Sequence, residues 1–218
     1  MKIAICGPAA AGKGTIARRF AAEAKIGYVD LGLLFRLGAF AITTGRISRL
    51  EELPALIRNE DIKYVWAEGR TAIYWQGETV TTDLLGQEIA HRASILASDH
   101  GQQNLLTEIA NRMLETFGSV VCDGRNAGST IMPDANHKFF ITARLEERAR
   151  RRYLDILGRG ESATYEEVLR DIEERDRRDA ERTVHPQIVP SGAIVIETDV
   201  RSVEESVRFI WGVIKRKP

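Results

Sequence analysis

Residues 7–15 read GPAAAGKGT, directly after the apolar run Ile3-Ala4-Ile5-Cys6 and directly before an alanine-rich segment. Gly7 and Gly12 occupy the two glycine positions of the pattern G-x-x-x-x-G-K, which lets the backbone curl until successive N–H groups face one cavity. Such a cavity holds an anion. The stretch from Lys13 to Lys25 is helical by composition, with Ile16 and Phe20 spaced by four, so the start of a helix adds partial positive charge at the same spot. Lys13 then supplies a mobile point charge for the outer phosphates of a nucleoside triphosphate. Gly14 separates the lysine from Thr15, where the commonest version of the motif has Ser or Thr directly after the lysine. A glycine-rich turn that only joins strand to helix is the bland alternative, and the strand before and helix after speak against it.

A chain of 218 residues suffices for one packed domain with inserted lobes. The net charge is zero, so no global field draws the protein to nucleic acid or to a membrane surface, and partners of both kinds are not expected. The 31 basic residues comprise 24 arginines and 7 lysines, a bias that favours bidentate capture of phosphate. Met1 opens straight onto the first strand and no apolar run reaches membrane-spanning length, so a cytoplasmic protein is expected. Cys6 and Cys122 both close apolar runs and read as buried small hydrophobes. His91, His100, His137 and His185 show no zinc spacing.

Apolar runs at Ile3 to Cys6, Tyr28 to Val29, Val120 to Cys122, Phe139 to Ile141 and Ile194 to Ile196 alternate with helical stretches. That rhythm predicts an α/β fold with a parallel sheet flanked by helices. Between 62 and 82 the texture becomes alternating, with a turn at Glu68-Gly69, which predicts an antiparallel hairpin inside an inserted lobe. Trp66 and Trp75 are expected to pack within that hairpin, with base stacking as the alternative use. In VVCDG the apolar run ends at Asp123, on the edge where open α/β sheets bind ligands, so Asp123 is a candidate to orient magnesium or its waters. Arg125 follows it at the same edge as a candidate clamp for an acceptor phosphate.

Thr164 and Glu167 have capping-box spacing and start a helix. Val168 and Ile172 face the core, and the same face continues through Arg175, Asp179 and Arg182, turning from apolar to charged. Desolvating these charges demands partners, which a phosphate and a sugar hydroxyl would supply; internal Asp–Arg pairs at a solvated helix end are the alternative. Upstream, Arg148, Arg150, Arg151, Arg152 and Arg159 lead toward a glycine-flanked turn, an arm able to close over a triphosphate.

Taken together, GKGT, DLGLLFR, the hairpin followed by GQEIAHRAS, DGRN, ARLEERARRR and EERDRRDAERTVHP resemble the bacterial cytidylate kinases, within the nucleoside monophosphate kinase group, over essentially the whole chain. The resemblance implies a P-loop kinase fold: a single domain over 1–218, an acceptor-binding lobe at 46–97 and a lid arm at 148–163. It implies transfer of the ATP γ-phosphoryl group, with Mg²⁺, to a pyrimidine nucleoside monophosphate, CMP or dCMP first. Gly7, Ala10, Gly12, Lys13, Gly14 and Thr15 would hold ATP together with Arg151 and Arg152 of the lid. Lys13, Asp123, Arg151 and Arg152 would be catalytic, with Thr15 and Asp123 nearest the metal. Arg36, Arg125 and Arg182 would grip the acceptor phosphate, Arg175 and Asp179 would lie near its phosphates and sugar, and Ser94, Gln103 and Asn126 would lie at its base. A monomer is expected.

The departures from the family's pattern cluster. Asn126 stands where DGRD has its second aspartate, and Gln103 where a base-contacting arginine is usual. Leu31 and Phe35 replace a serine and a tyrosine, and Cys6 and Ala9 replace an aspartate and a serine of the loop. The phosphate grip is kept while the base-reading set is altered, so weaker discrimination between cytosine and uracil is expected. A divergent kinase of another small phosphorylated acceptor, or a nucleotide-binding protein without catalysis, are the alternatives; Lys13, Asp123 and the lid arginines speak against the second.

Overall fold

The structure, a computed structural model, describes residues 1–216. The chain forms two compact units, one of Met1–Phe20 with the chain from Asp123 onward, the other Ala21–Cys122. A five-stranded sheet has the order β2-β6-β1-β7-β8, from β1 (Lys2–Cys6), β2 (Gly27–Asp30), β6 (Val120–Gly124), β7 (His137–Thr142) and β8 (Ile194–Glu197). All five apolar runs expected as strands are strands.

In the first unit β1, β7 and β8 pair in parallel, with Ile5 opposite Phe139 and Phe139 opposite Ile194. Ile3, Ile5, Phe139 and Ile141 are fully buried, as strands covered on both faces must be. Helix α1 (Lys13–Ala24) ends one residue before the expected Lys25, which takes a left-handed φ of 53° and so stops the helix. Phe20 on α1 packs against Trp211 of α8 (Val203–Arg216), ring centres 4.7 Å apart. Helices α6 (Leu145–Gly158) and α7 (Tyr165–Glu181) pack on each other through Ala149, Ile156, Val168 and Ile172. The capping box at α7 is formed as expected: Thr164 Oγ1 accepts from Glu167 N at 3.2 Å, and Thr164 N donates to Glu167 Oε2 at 2.8 Å. The helix stops at Glu181, so Arg182 is its extended C-cap rather than its last face residue.

In the second unit Asp30 caps α2 (Leu31–Thr43) by accepting from Leu33 N at 3.0 Å. Against α2 pack α4 (Gln87–Leu96) and α5 (His100–Glu115), while the short α3 (Leu53–Arg58) packs beside the hairpin strand that follows it. The expected hairpin is a three-stranded antiparallel sheet: β3 (Ile62–Ala67) and β4 (Arg70–Trp75) are joined at Glu68-Gly69, and β5 (Glu78–Thr79) adds a short third strand. Positive φ at Glu68 and Gly69, 51° and 74°, matches the twist that a two-residue hairpin requires. Trp66 is a packing residue: its Nε1 donates to Ile26 O at 3.0 Å, and its ring lies 4.9 Å from that of Tyr28. Trp75 is buried beneath the guanidinium of Arg46.

Candidate functional site

Between β1 and α1 the chain makes a loop whose backbone conformation depends on Gly7. Its φ is +143°, and a Cβ there would stand 2.0 Å from Ile141 O, so no side chain fits. Ala10 adopts φ 58° without being glycine, a strained conformation held by its surroundings. Those surroundings act on carbonyls. Pro8 O accepts from Lys13 Nζ at 3.3 Å, Ala9 O from Arg148 Nη1 at 3.2 Å, Ala11 O from Thr198 Oγ1 at 3.0 Å, and Gly12 O from Ile16 N at 3.1 Å. In a planar trans peptide the N–H points opposite to the C=O. The Ala10 and Gly12 amides are therefore turned away from Arg148 and Thr198, an array suited to an anion. Gly14 and Thr15 lie in the first turn of α1, with Thr15 exposed.

Lys13 and Asp123 are both buried, and both act electrostatically on Cys6 at the end of β1. Cys6 accepts from Gly128 N at 3.0 Å, and burial pushes its thiol up to about 11, so it stays neutral.

The same unit brings together four residues expected at the acceptor. Arg125 Nε lies 2.7 Å from Asp179 Oδ2, Arg182 pairs with Asp179 Oδ1, and the charge of Arg175 also acts on that carboxylate. Burial alone would raise the Asp179 pKa; Arg125, Arg182 and Arg175 outweigh it and hold it below its ordinary value. Burial lowers the pKa of Arg182, with Asp179 opposing. Asp179 on the charged face of α7 is thus paired within the chain, while three guanidinium groups share this one carboxylate and leave the cluster positive. Asn126 follows Arg125 and is buried.

Arg36, Ser94 and Gln103 belong to the second unit. Arg36 Nη1 donates to Leu84 O at 3.1 Å. Ser94 on α4 and Gln103 on α5 are each 2 % exposed, and Ser94 Oγ has no hydrogen-bond partner. A buried hydroxyl without a partner costs stability.

The lid-arm arginines divide in two ways. Arg148 does not reach toward the turn but is buried, donating to Ala143 O at 2.9 Å and to Asp176 Oδ2 at 2.5 Å besides Ala9 O. Its inward course follows from α6 itself, where Leu145, Arg148, Ala149 and Ile156 share one face by steps of three and four. Arg151 donates to Glu147 at 2.7 Å and, from Nη1 and Nη2, to Thr198 Oγ1 and O at 2.9 and 2.7 Å. It stands 3.8 Å from where a Gly12 Cβ would be. Arg150, bonded to both carboxylate oxygens and joined by Arg151 on Oε1, pulls the Glu147 pKa down to about 2. Arg152 pairs with Asp155 at 2.9 Å, and its pKa is lowered by burial and by Arg159 nearby. Arg148 and Asp176 lie within the segments ARLEERARRR and EERDRRDAERTVHP, where nothing local marks them as a pair; Thr198 lies in no motif. Thr198 had one usable signal, its place just past the end of a parallel strand.

Among the described residues no group of three or more His, Cys, Asp or Glu could hold a metal ion. No helix of the described chain is long and apolar enough to cross a membrane.

A family model described as cytidylate kinase matches residues 3–216. A cytidylate kinase of Caldanaerobacter subterraneus subsp. tengcongensis is 35 % identical over 99 % of this chain and 95 % of its own. That of Aquifex aeolicus is 36 % identical over 100 % of this chain and 97 % of its own. Among solved structures, a Thermus thermophilus protein superposes with a TM-score of 0.50 at 18 % identity, covering 100 % of this chain and 98 % of that one; the two share the fold.

Proposed function

The chain belongs to the cytidylate kinase family, and on that premise we infer that it is a nucleoside monophosphate kinase transferring the γ-phosphoryl group of ATP to CMP, giving CDP and ADP. An oxygen of the acceptor phosphate forms a bond to the γ-phosphorus while the bond from that phosphorus to the β,γ-bridging oxygen breaks. No covalent enzyme intermediate is needed, so the residues act by positioning and by charge.

The observation that carries the assignment of roles is the loop itself, whose carbonyls at Ala9 and Ala11 are held from outside so that its amides face the other way. Gly7, Ala10, Gly12, Gly14 and Thr15 then cradle the donor phosphates, and Lys13 stabilises charge on the group in transit. Arg151 and Arg152 would belong to a lid arm over 148–163 and balance the triphosphate. Arg125, Arg182 and Arg36 hold the acceptor phosphate, with Arg175 and Asp179 beside it. Ser94, Gln103 and Asn126 meet the base, the first of them from a lobe spanning 46–97.

Magnesium suits this donor set. The buried carboxylate of Asp123 and the hydroxyl of Thr15 offer hard oxygens, and Mg²⁺ is usually held by one or two carboxylates together with substrate phosphates. When bound it would neutralise charge on the phosphate oxygens. The test is ADP release in the presence of ATP and each of CMP, dCMP, UMP and dTMP. Turnover with CMP is expected; turnover with none of the four overturns the assignment.

A further inference from the structure

We propose that Arg148 and Thr198 are positioning residues that hold the phosphate loop in its anion-binding conformation, and that Asp176 and Arg151 in turn hold these two donors. The inference rests on the kinase reading above. Ala9 O and Ala11 O lie on either side of Ala10, the residue strained at φ 58°. Each carbonyl has one donor reaching it from far along the chain: Arg148 Nη1 at 3.2 Å and Thr198 Oγ1 at 3.0 Å. Neither donor touches the cavity through these bonds. What they fix is the rotation of the two peptide planes that flank Ala10, and hence the direction of the Ala10 and Gly12 amides.

Each donor is itself oriented. Arg148 is buried and spends its Nε on Ala143 O at 2.9 Å, where β7 passes into α6, while Nη1 also reaches Asp176 on α7 at 2.5 Å. Thr198 Oγ1 receives from Arg151 Nη1 at 2.9 Å, which leaves its own hydrogen for a carbonyl: Ala11 O at 3.0 Å or Thr142 O at 3.2 Å. Ala10 also packs against the apolar cluster of α6 and α7. The loop is therefore tied to the α6–α7 pair by one ion-paired arginine, one hydroxyl and one methyl group. A shift of that helix pair changes the loop's amide directions, and anchoring the loop's amides on a triphosphate restrains the helix pair.

Arg148→Met and Thr198→Val remove one donor each; Arg148→Lys keeps the charge but cannot reach three acceptors in a fork. Steady-state kinetics would be measured against ATP and CMP separately, ADP affinity by calorimetry, and folding by thermal denaturation. Each of the first two variants is expected to raise the ATP KM and the ADP dissociation constant by about tenfold, the scale on which lost support behind a binding group is felt, with the CMP KM within about twofold of wild type. The lysine variant falls between and serves where the methionine variant does not fold. A folded Thr198→Val or Arg148→Lys protein with wild-type ADP affinity and ATP KM overturns the inference, as does an equal rise in both KM values. Failure of the wild type itself to turn over any nucleotide overturns the kinase reading instead.

Discussion

Arg125 Nε stands 2.7 Å from Asp179 Oδ2 across 54 residues of chain, and the carboxylate it meets, held on its other oxygen by Arg182, is 1 % exposed. A buried anion between two guanidinium groups keeps both arginines extended before any phosphate arrives. Its removal leaves two cations buried and facing each other.

Asp179→Asn is therefore expected to destabilise the protein by about 3–5 kcal/mol at neutral pH, the usual cost of breaking a buried pair from one side. The pH dependence has a definite sign. Because the folded carboxyl sits below its ordinary value, its contribution is complete above the unfolded pKa and is lost as pH falls through the lowered folded pKa. Thermal midpoints of wild type and variant should differ most from neutral pH down to the ordinary carboxylate range and converge in stronger acid. A constant gap across that window contradicts the pairing.

Ser94→Ala separates binding from folding. Deleting a buried hydroxyl that has no partner removes a desolvation cost, so the midpoint should stay or rise. If Ser94 Oγ serves the acceptor, the CMP KM should rise about fivefold, the worth of one neutral hydrogen bond near 1 kcal/mol. An unchanged CMP KM removes Ser94 from the base site.

Lys13→Ala should lower kcat on the order of 10² or more, because it deletes a charge that acts on the transferring group. Little loss of thermal stability is expected. Wild-type turnover at saturating ATP and CMP would exclude Lys13 from the reaction.

Asn126 and Gln103 are both buried, and each presents a donor and an acceptor where the family's pattern has a carboxylate and a guanidinium. An amide turned by half a rotation suits the amino group of cytosine or the carbonyl of uracil equally. The ratio of kcat/KM for CMP over UMP should thus be small, and Asn126→Asp combined with Gln103→Arg should raise it. A wild type that already rejects UMP by several orders of magnitude would show that these amides do not set the preference.

What the sequence made legible was local. The strand ending at Cys6, the glycine loop, the Thr164–Glu167 box and the Glu68-Gly69 turn all follow from residues within a few positions of one another, where periodicity and backbone preference operate. The charged continuation of the α7 face was legible for the same reason, since Val168, Ile172 and Asp179 lie on one helix and all three are buried. Arg148 was not. Its acceptors Ala9 O and Asp176 lie 139 and 28 residues away, and little beyond its helical phase sets it apart from the other four arginines of the arm. The third strand β5, two residues long, leaves too short a pattern to read. The pairing of Asp179 with Arg125 was equally a matter of tertiary meeting, because Arg125 belongs to a different element, whereas the pairing with Arg182 is local.

Cys6 in β1 and Cys122 in β6 are both 0 % exposed. A thiol reagent cannot reach either sulfur while those strands hold, so modification in native buffer proceeds only through molecules that have opened. With reagent in large excess, the labelling rate becomes a clock for how often the strand leading into the phosphate loop comes loose, read without any engineered probe. Nucleotide that binds only the closed form should slow that clock in proportion to its occupancy, which gives substrate affinity from a measurement in which no phosphate is transferred.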